Sequence, residues 1–331
     1  MKKSCEQSSF IGIDLGGTKL LIGEMDRQGR VLRSMREPTG SLDQENACAL
    51  IISALKAFMQ ESAPGYVPCA IGVGLAGHVD SQSGKWLEID PTKKKPISIA
   101  DEISARFGLP CFVDNDVKSA AKAELLFGYG RQSEDFVYIN VGTGIAAGII
   151  TGGRLLRGGH FNAGEVGHTS SGLCLHQPCI CGREDCVELI TSGSGLDQCA
   201  RRLSPEYPDT ALCIPETGRV NALDIFKGYD KDPLCRVLTD NAAKSLANLI
   251  MNLVRFCDPD AIVLGGGVVS DGILLSHVQQ YLNPHTMRFV TNGVHLTQLD
   301  SHYAGLIGAC ANAILGIEDQ AEQTIPTAMN D

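Results

Sequence analysis

The stretch FIGIDLGGTKLLIGEMD, residues 10–26, sets one carboxylate, Asp14, and a glycine pair between two apolar, β-rich runs. Short runs of this kind joined by a glycine turn predict a β-hairpin. The stretch has an echo, FVYINVGTGIAAGIITGGRLL, at residues 136–156. Asp14 aligns with Asn140 and Gly16 with Gly142, and further on Gly29-Arg30 matches Gly153-Arg154. Each copy reads strand, glycine turn, strand, turn, strand. Two similar halves are therefore expected, each opening with a hairpin.

Around the copies the pattern alternates. ENACALIISALKAFMQES, ADEISARFGL, VKSAAKAELLFGYG and NAAKSLANLIMNLVRFCDPD carry helical spacing, the last stopped by Pro259. CAIGVGLAG, PCFVDND and AIVLGGGVV read as strands, two of them feeding glycine turns. This alternation predicts an α/β protein with helices packed around parallel or mixed sheets. HVDSQSGK reads as turn material, and the polar tail from GIEDQAEQ onward is expected to fray.

Composition narrows the function classes. A chain of 331 residues with 44% apolar content and 37 glycines suits one large or two medium domains of a loop-rich enzyme. A net charge of −10 argues against a non-specific nucleic-acid or anionic-membrane surface. No apolar run approaches the roughly 18–20 residues of a membrane span. MKKSCEQSSF has lysines but no apolar stretch behind them, so no signal peptide is expected, and a cytoplasmic location is. Thirteen cysteines in such a chain predict free thiols, with room for a metal site, rather than a disulfide framework. Cys48, Cys69, Cys111, Cys199, Cys257 and Cys310 sit singly among apolar neighbours and read as small hydrophobes.

Glycine turns after strands let backbone N–H groups approach a phosphate. Four occur: DLGGTK, GVGLAG, NVGTG and LGGGV. The first is no P-loop, because Gly17-Thr18-Lys19 breaks the required order and β-rich sequence follows. The second matches G-x-G-x-x-G at Gly72, Gly74 and Gly77, yet turn residues follow where a dinucleotide site needs a helix. The two hairpin turns make more sense as a facing pair that clamps a polyphosphate. Gly16, Gly17 and Thr18 would serve one side and Gly142, Thr143 and Gly144 the other. Beside phosphate a carboxylate repels unless a cation intervenes, so Asp14 should face Mg²⁺ through water. The plain alternative is a tight hairpin with an Asx-type turn.

CFVDNDVKSAA places Asp114, Asn115 and Asp116 where a buried strand meets a helix. Two readings stand for the carboxylate there: a helix N-cap, or the general base of a phosphoryl transfer. In HTSSGLCLHQPCICGREDCVE, Cys179, Cys181 and Cys186 have the spacing C-x-C-x₄-C, with His168 just upstream. One imidazole and three thiolates make a closed, structural zinc site. Cys174 and His176 are alternative ligands, and plain free thiols are the simpler account. Such a site would orient its neighbours Glu165 and Glu188.

Together these motifs resemble those of the ROK family of sugar kinases, in the actin-like/sugar kinase superfamily, from residue 10 to about 316. IGIDLGGTK is similar to the family's first phosphate motif and INVGTG to its second, GLAGHVD to its sugar-side loop, and DNDVKSAAKAE to its Asn-Asp motif. GEVGH with CICGREDCVE resembles the zinc signature, and IVLGGGV the adenosine motif. The resemblance implies two actin-like (RNase H-like) domains around an interdomain cleft. Residues 1–118 with 303–320 would form the smaller, 119–302 the larger with its zinc loop, and 321–331 a flexible tail. It implies Asp116 as catalytic base. Gly77, Asn115, Glu165, His168 and Glu188 would join Asp116 on the sugar. Asp14, Gly16, Gly17, Thr18, Lys19, Gly142, Thr143, Gly144, Gly265 and Gly266 would lie against Mg-ATP. His168 would give one nitrogen to Zn²⁺, held with Cys179, Cys181 and Cys186, and the other to sugar. Three positions depart from the family pattern: Ala76 replaces a proline, Asp185 a glycine, and Lys118 a small or amide residue.

The implied activity is ATP-dependent phosphorylation of the 6-hydroxyl of a hexose, glucose first and N-acetylmannosamine second, by a homodimer. The family also contains sugar-responsive transcription regulators. Here the first motif begins about ten residues in, so no helix-turn-helix is expected ahead of it, and the acidic balance disfavours DNA. A non-catalytic sugar sensor is the other rival, against which the intact Asp116 and phosphate motifs speak. The motifs do not choose the sugar, because single pocket residues decide that.

Overall fold

The computed structural model describes residues 7–16, 19–40, 43–61, 63–89, 93 and 95–324. Among them the chain forms two compact units. The first takes the residues up to Gly128, then Arg157–Asn162, then those from Leu299 on; the second takes Tyr129–Leu156 and Ala163–Gln298.

The first unit is built on the opening hairpin. Strands β1 (Gln7–Leu15), β2 (Lys19–Asp26) and β3 (Val31–Pro38) form an antiparallel meander. Strands β4 (Tyr66–Leu75) and β7 (Cys111–Asn115) then add in parallel, giving the order β3-β2-β1-β4-β7. Side chains alternate across a strand, and β1 is apolar on both faces. Ile11, Ile13 and Leu15 pack in one cluster with Ile51 and Leu55 of α1 (Gln44–Phe58) and Ile103 of α2 (Ile99–Phe107). Phe10 points the other way, toward Leu306 and Cys310 of α9 (Ala304–Thr324).

Glycine decides how close α9 comes. Gly23, Gly12 and Gly72 stand side by side across β2, β1 and β4. A Cβ on Gly12 would lie 2.6 Å from the Cys310 sulfur, one on Gly23 2.5 Å from Leu306, and one on Gly72 would overlap the Ala309 carbonyl. Gly72, the first glycine of the G-x-G-x-x-G match, is thus a packing residue. The turn expected after it is found at residues 81–84, as the tip of a small hairpin of β5 (His78–Asp80) with β6 (Lys85–Glu88). Helix α3 (Asp116–Phe127) stays with the first unit beyond residue 118, since the Ser119 backbone packs against Gly308 of α9. The polar stretch from Gly316, expected to fray, is helical through Thr324: Ile317 packs on the α9 cluster and Glu318 pairs with Arg27.

The second unit repeats the plan. Strands β8 (Phe136–Val141), β9 (Ile145–Thr151) and β10 (Arg154–Leu155) form the meander. With β11 (Ala261–Gly265) and β12 (Gly293–Leu296) added in parallel, the order is β10-β9-β8-β11-β12. The short α4 (Val187–Thr191) and α6 (Ala222–Lys227), with α5 (Gly193–Leu203) and α8 (Ile273–Tyr281), surround the long α7 (Pro233–Cys257), whose Leu246 and Ile250 are fully buried. Helix α7 starts upstream of the stretch whose periodicity predicts it. Asp232 caps it by accepting from the N–H groups of Leu234 and Cys235, and Pro233 takes the first turn. Two units with the same strand order are the actin-like (RNase H-like) α/β fold expected. Among the described residues no helix is long and apolar enough to cross a membrane.

Candidate active site

Asp14 lies on the α9 face of β1, next to its end. Its carboxylate rests against Gly305, where any Cβ would overlap it. Burial, then the nearby Asp116 carboxylate, push its pKa up to about 6, with Lys19 opposing. The Gly16 N–H closes the turn on the Lys19 carbonyl at 2.9 Å, so that donor is used within the hairpin. Gly17 and Thr18 lie outside the described residues.

A raised carboxylate pKa means that the folded chain holds the proton more tightly than the unfolded one. That advantage is full below the ordinary value of 3.8 and is lost as pH rises through about 6. At pH 7 the charge therefore costs about 3 kcal/mol. Asp14→Asn is expected to raise the unfolding free energy of the ligand-free protein by up to that amount at pH 7, with most of the gain gone by pH 4. Urea titrations at the two pH values check it.

At the β7–α3 junction the helix cap is an amide and not a carboxylate. Asn115 is the N-cap: its Oδ1 accepts from the N–H groups of Val117 at 3.0 Å and Lys118 at 3.2 Å. Its Nδ2 donates to the Gly77 carbonyl at 3.0 Å. Gly77 has φ 87°, and a Cβ there would overlap the Glu88 carbonyl, so glycine alone fits. With capping done by Asn115, Asp116 stands in the first helical position, where one oxygen accepts the Val117 N–H at 2.9 Å.

Beneath this junction lies a buried polar network that the motifs do not announce. The Asp114 carboxylate, 1% exposed, accepts from its neighbour's N–H at 2.9 Å, from Lys122 Nζ at 2.7 Å and from Arg157 Nη1 at 3.0 Å. Lys122 also donates to Asn312 Oδ1 of α9 at 2.8 Å. Asn312 Nδ2 donates to the Val73 carbonyl at 3.0 Å and to Ser119 Oγ at 2.8 Å, and Ser119 Oγ to the Asn115 carbonyl at 2.7 Å. Both backbone polar groups of Asn115 are thus pinned by side chains. Burial works against both charges, yet Lys122 and then Arg157 hold Asp114 below the usual carboxylate range, while burial pulls Lys122 below the usual lysine value.

In the second unit the Gly142 N–H closes its own turn on the Gly144 carbonyl at 3.0 Å. The first residues of α5 meet this turn: Gly193 N–H donates to the Gly142 carbonyl at 2.8 Å and Ser194 N–H to that of Thr143 at 3.3 Å. Arg219, which no motif marks, donates to Thr143 Oγ1 at 3.2 Å. Glu188 accepts the Ile145 N–H at 2.7 Å, and a Cβ on Gly144 would sit 2.5 Å from its carboxylate. The residue read as sugar-side therefore touches the turn read as phosphate-side. A Cβ on Gly265 would overlap the Tyr138 hydroxyl, and Gly266, at φ 95°, faces the Val141 carbonyl, so packing alone calls for glycine there.

Glu165 is exposed just before the short turn Val166–His168. The ligand atoms of His168, Cys179, Cys181 and Cys186 lie within 4.8 Å of one another. His168 Nδ1 is 3.5 Å from the Cys179 sulfur. Cys174 and His176 are outside this cluster, and His176 lies 3.6 Å from Glu184. Asp185 is explained. It adopts φ 52°, and its carboxylate accepts the N–H groups of Leu175, His176 and Gln177 at 2.8, 3.0 and 2.9 Å. Despite burial, these donors hold its pKa below the ordinary value. A glycine would fit the turn but not tie the loop. The described cysteines are all unpaired thiols, with Cys48, Cys199 and Cys310 buried.

A sequence model of the ROK family matches residues 10–314. The glucokinase of Halalkalibacterium halodurans is 27% identical over 309 residues, covering 90% of this chain and 93% of that protein. The N-acetylglucosamine repressor of Escherichia coli O157:H7 is 26% identical over 306 residues, 91% of this chain and 74% of the repressor. Among solved structures, the Streptomyces griseus ROK glucokinase in complex with glucose and AMPPNP superposes with a TM-score of 0.72 at 29% identity, covering 93% of this chain and 100% of that one.

Proposed function

The chain belongs to the ROK family, and from that premise we propose that it is an ATP-dependent sugar kinase acting on the 6-hydroxyl of a hexose, glucose before N-acetylmannosamine. One observation supports the reading: the Asp116 carboxylate stands in the first position of α3, close enough to Asp14 to raise its pKa, so base and metal-side carboxylate share one place. In the proposed reaction Asn115, Glu165, His168 through Nε2, and Glu188 hold sugar hydroxyls. The Gly77 backbone serves the same group. Asp116 takes the proton from the acceptor oxygen as it attacks the γ-phosphorus in line.

The two glycine turns, Lys19 and the Gly265–Gly266 turn are assigned to the nucleotide. Arg219 and the positive end of α5 at the second turn favour an anion there. Asp14 and Asp116 repel each other, and a cation relieves that repulsion. Asp14 would hold Mg²⁺ through water, and Mg²⁺ would supply charge neutralisation at the phosphates. The donor set of His168, Cys179, Cys181 and Cys186 fits a structural zinc. The proposed assembly is a cytoplasmic homodimer.

Purified protein is expected to contain about one zinc per chain by elemental analysis, and exposed Cys181→Ser to lose most of it. The kinase reading is tested by ADP release from Mg-ATP against a panel of glucose, N-acetylmannosamine, N-acetylglucosamine, allose and fructose. Turnover on one of them supports it. The repressor relative supports a second reading, a sugar-responsive regulator. Sugar binding without turnover would favour that reading and sink the kinase.

A further inference from the structure

Residues Arg157–Asn162 leave the second unit and pack with the first. Three side chains hold them there. The Arg157 guanidinium donates to Asp114 at 3.0 Å and to Ser81 Oγ at 2.6 Å. His78 Nε2 lies 2.6 Å from the His160 carbonyl, and the Lys118 ammonium donates to the Phe161 carbonyl. These anchors share a property: His78 follows Gly77, Asp114 precedes Asn115, and Lys118 stands two residues past Asp116. The segment therefore runs along the first unit's share of the proposed sugar site.

Phe161 has φ 57°, in the left-handed region. For a residue with a Cβ that conformation costs about 1–2 kcal/mol. The ring is half-buried and joins none of the three apolar clusters of the fold, so core packing does not offset the strain. Lys118 fixes the Phe161 carbonyl and so helps to hold the strained residue in place. A rigid aromatic kept out of the core beside polar hydroxyl-binding groups presents what a pyranose needs, an apolar face for its C–H bonds.

We propose that Phe161 is an acceptor-specificity residue whose ring packs against the sugar, and that Lys118 is its positioning residue. The inference rests on the kinase reading, and the test separates the two. Phe161→Gly removes the ring and tolerates φ > 0, so it should fold at least as well as wild type. It is expected to raise the sugar KM about tenfold, leave the ATP KM unchanged and alter the ratio of rates across the sugar panel. Lys118→Met should raise the sugar KM in the same direction, and Phe161→Tyr should keep it near wild type. A Phe161→Gly enzyme whose sugar KM stays within about twofold of wild type, with the same sugar preferences, overturns the proposal while leaving the kinase intact. A wild-type protein inert toward every sugar overturns both.

Discussion

Asp116→Asn is expected to lower kcat by roughly 10²–10⁴-fold, with the melting temperature unchanged or raised. The rate falls because the amide cannot accept the proton of the attacking hydroxyl. The fold survives for two reasons. The cap of α3 is Asn115, whose contacts with the Val117 and Lys118 N–H groups are untouched, and an asparagine oxygen can still accept the Val117 N–H. The substitution also removes the charge that helps to raise the Asp14 pKa, so ionised Asp14 becomes less costly at neutral pH. Thermal melts beside ADP-release kinetics check both halves. A variant that keeps its kcat would remove Asp116 from the chemistry.

The second large effect lies below the site. Lys122→Met is expected to destabilise the protein by about 3 kcal/mol, because removing one partner of a buried pair strands the other charge. Arg157 remains beside Asp114, which keeps the loss at the low end of the range. The double variant Asp114→Asn/Lys122→Met should recover most of it, since the one charge left without its partner is that of Arg157, whose side chain reaches water. In the single variant kcat should fall as well, because Asp114, Ser119 and Asn312 together fix the backbone of Asn115. Denaturant midpoints for wild type, the single and the double variant measure the stability term. Equal stability of all three would show that the pair carries no net charge penalty.

What the sequence discloses depends on range. Both hairpins are legible because short, β-rich apolar runs and a glycine turn are local signals. Asn115 and Asp116 are legible as a pair, but which one caps the helix depends on where the Asn115 side chain lies between α3 and Gly77. The network under them is not legible. Lys122 meets Asn312 across 190 positions and Arg157 meets Asp114 across 43. No periodicity links such partners, and the helical spacing of VKSAAKAE does not say what its lysines meet. Lys118 shows the same limit, since its partner carbonyl is also 43 positions away. Gly72 errs the other way. Its spacing suggests phosphate, while its cause is the Ala309 carbonyl of α9.

The row of glycines under α9 also bears on the order in which the protein is made. The sheet of the first unit is translated early, but the helix that covers its glycine face comes only after the whole second unit has been synthesised. At about 5–20 residues per second, that delay is on the order of ten seconds or more. Through it, Phe10, Leu21, Met25 and Ala70 wait on the nascent chain without Leu306, Cys310 and Ala313, the neighbours that later bury them. The same three glycines that admit α9 make the uncovered groove less adhesive, since they offer a wrong partner no side chains to grip. A ribosome-stalled chain ending before Leu299 should bind chaperones through the waiting apolar side chains beside those glycines, not through the glycine groove itself, and let go once α9 has emerged.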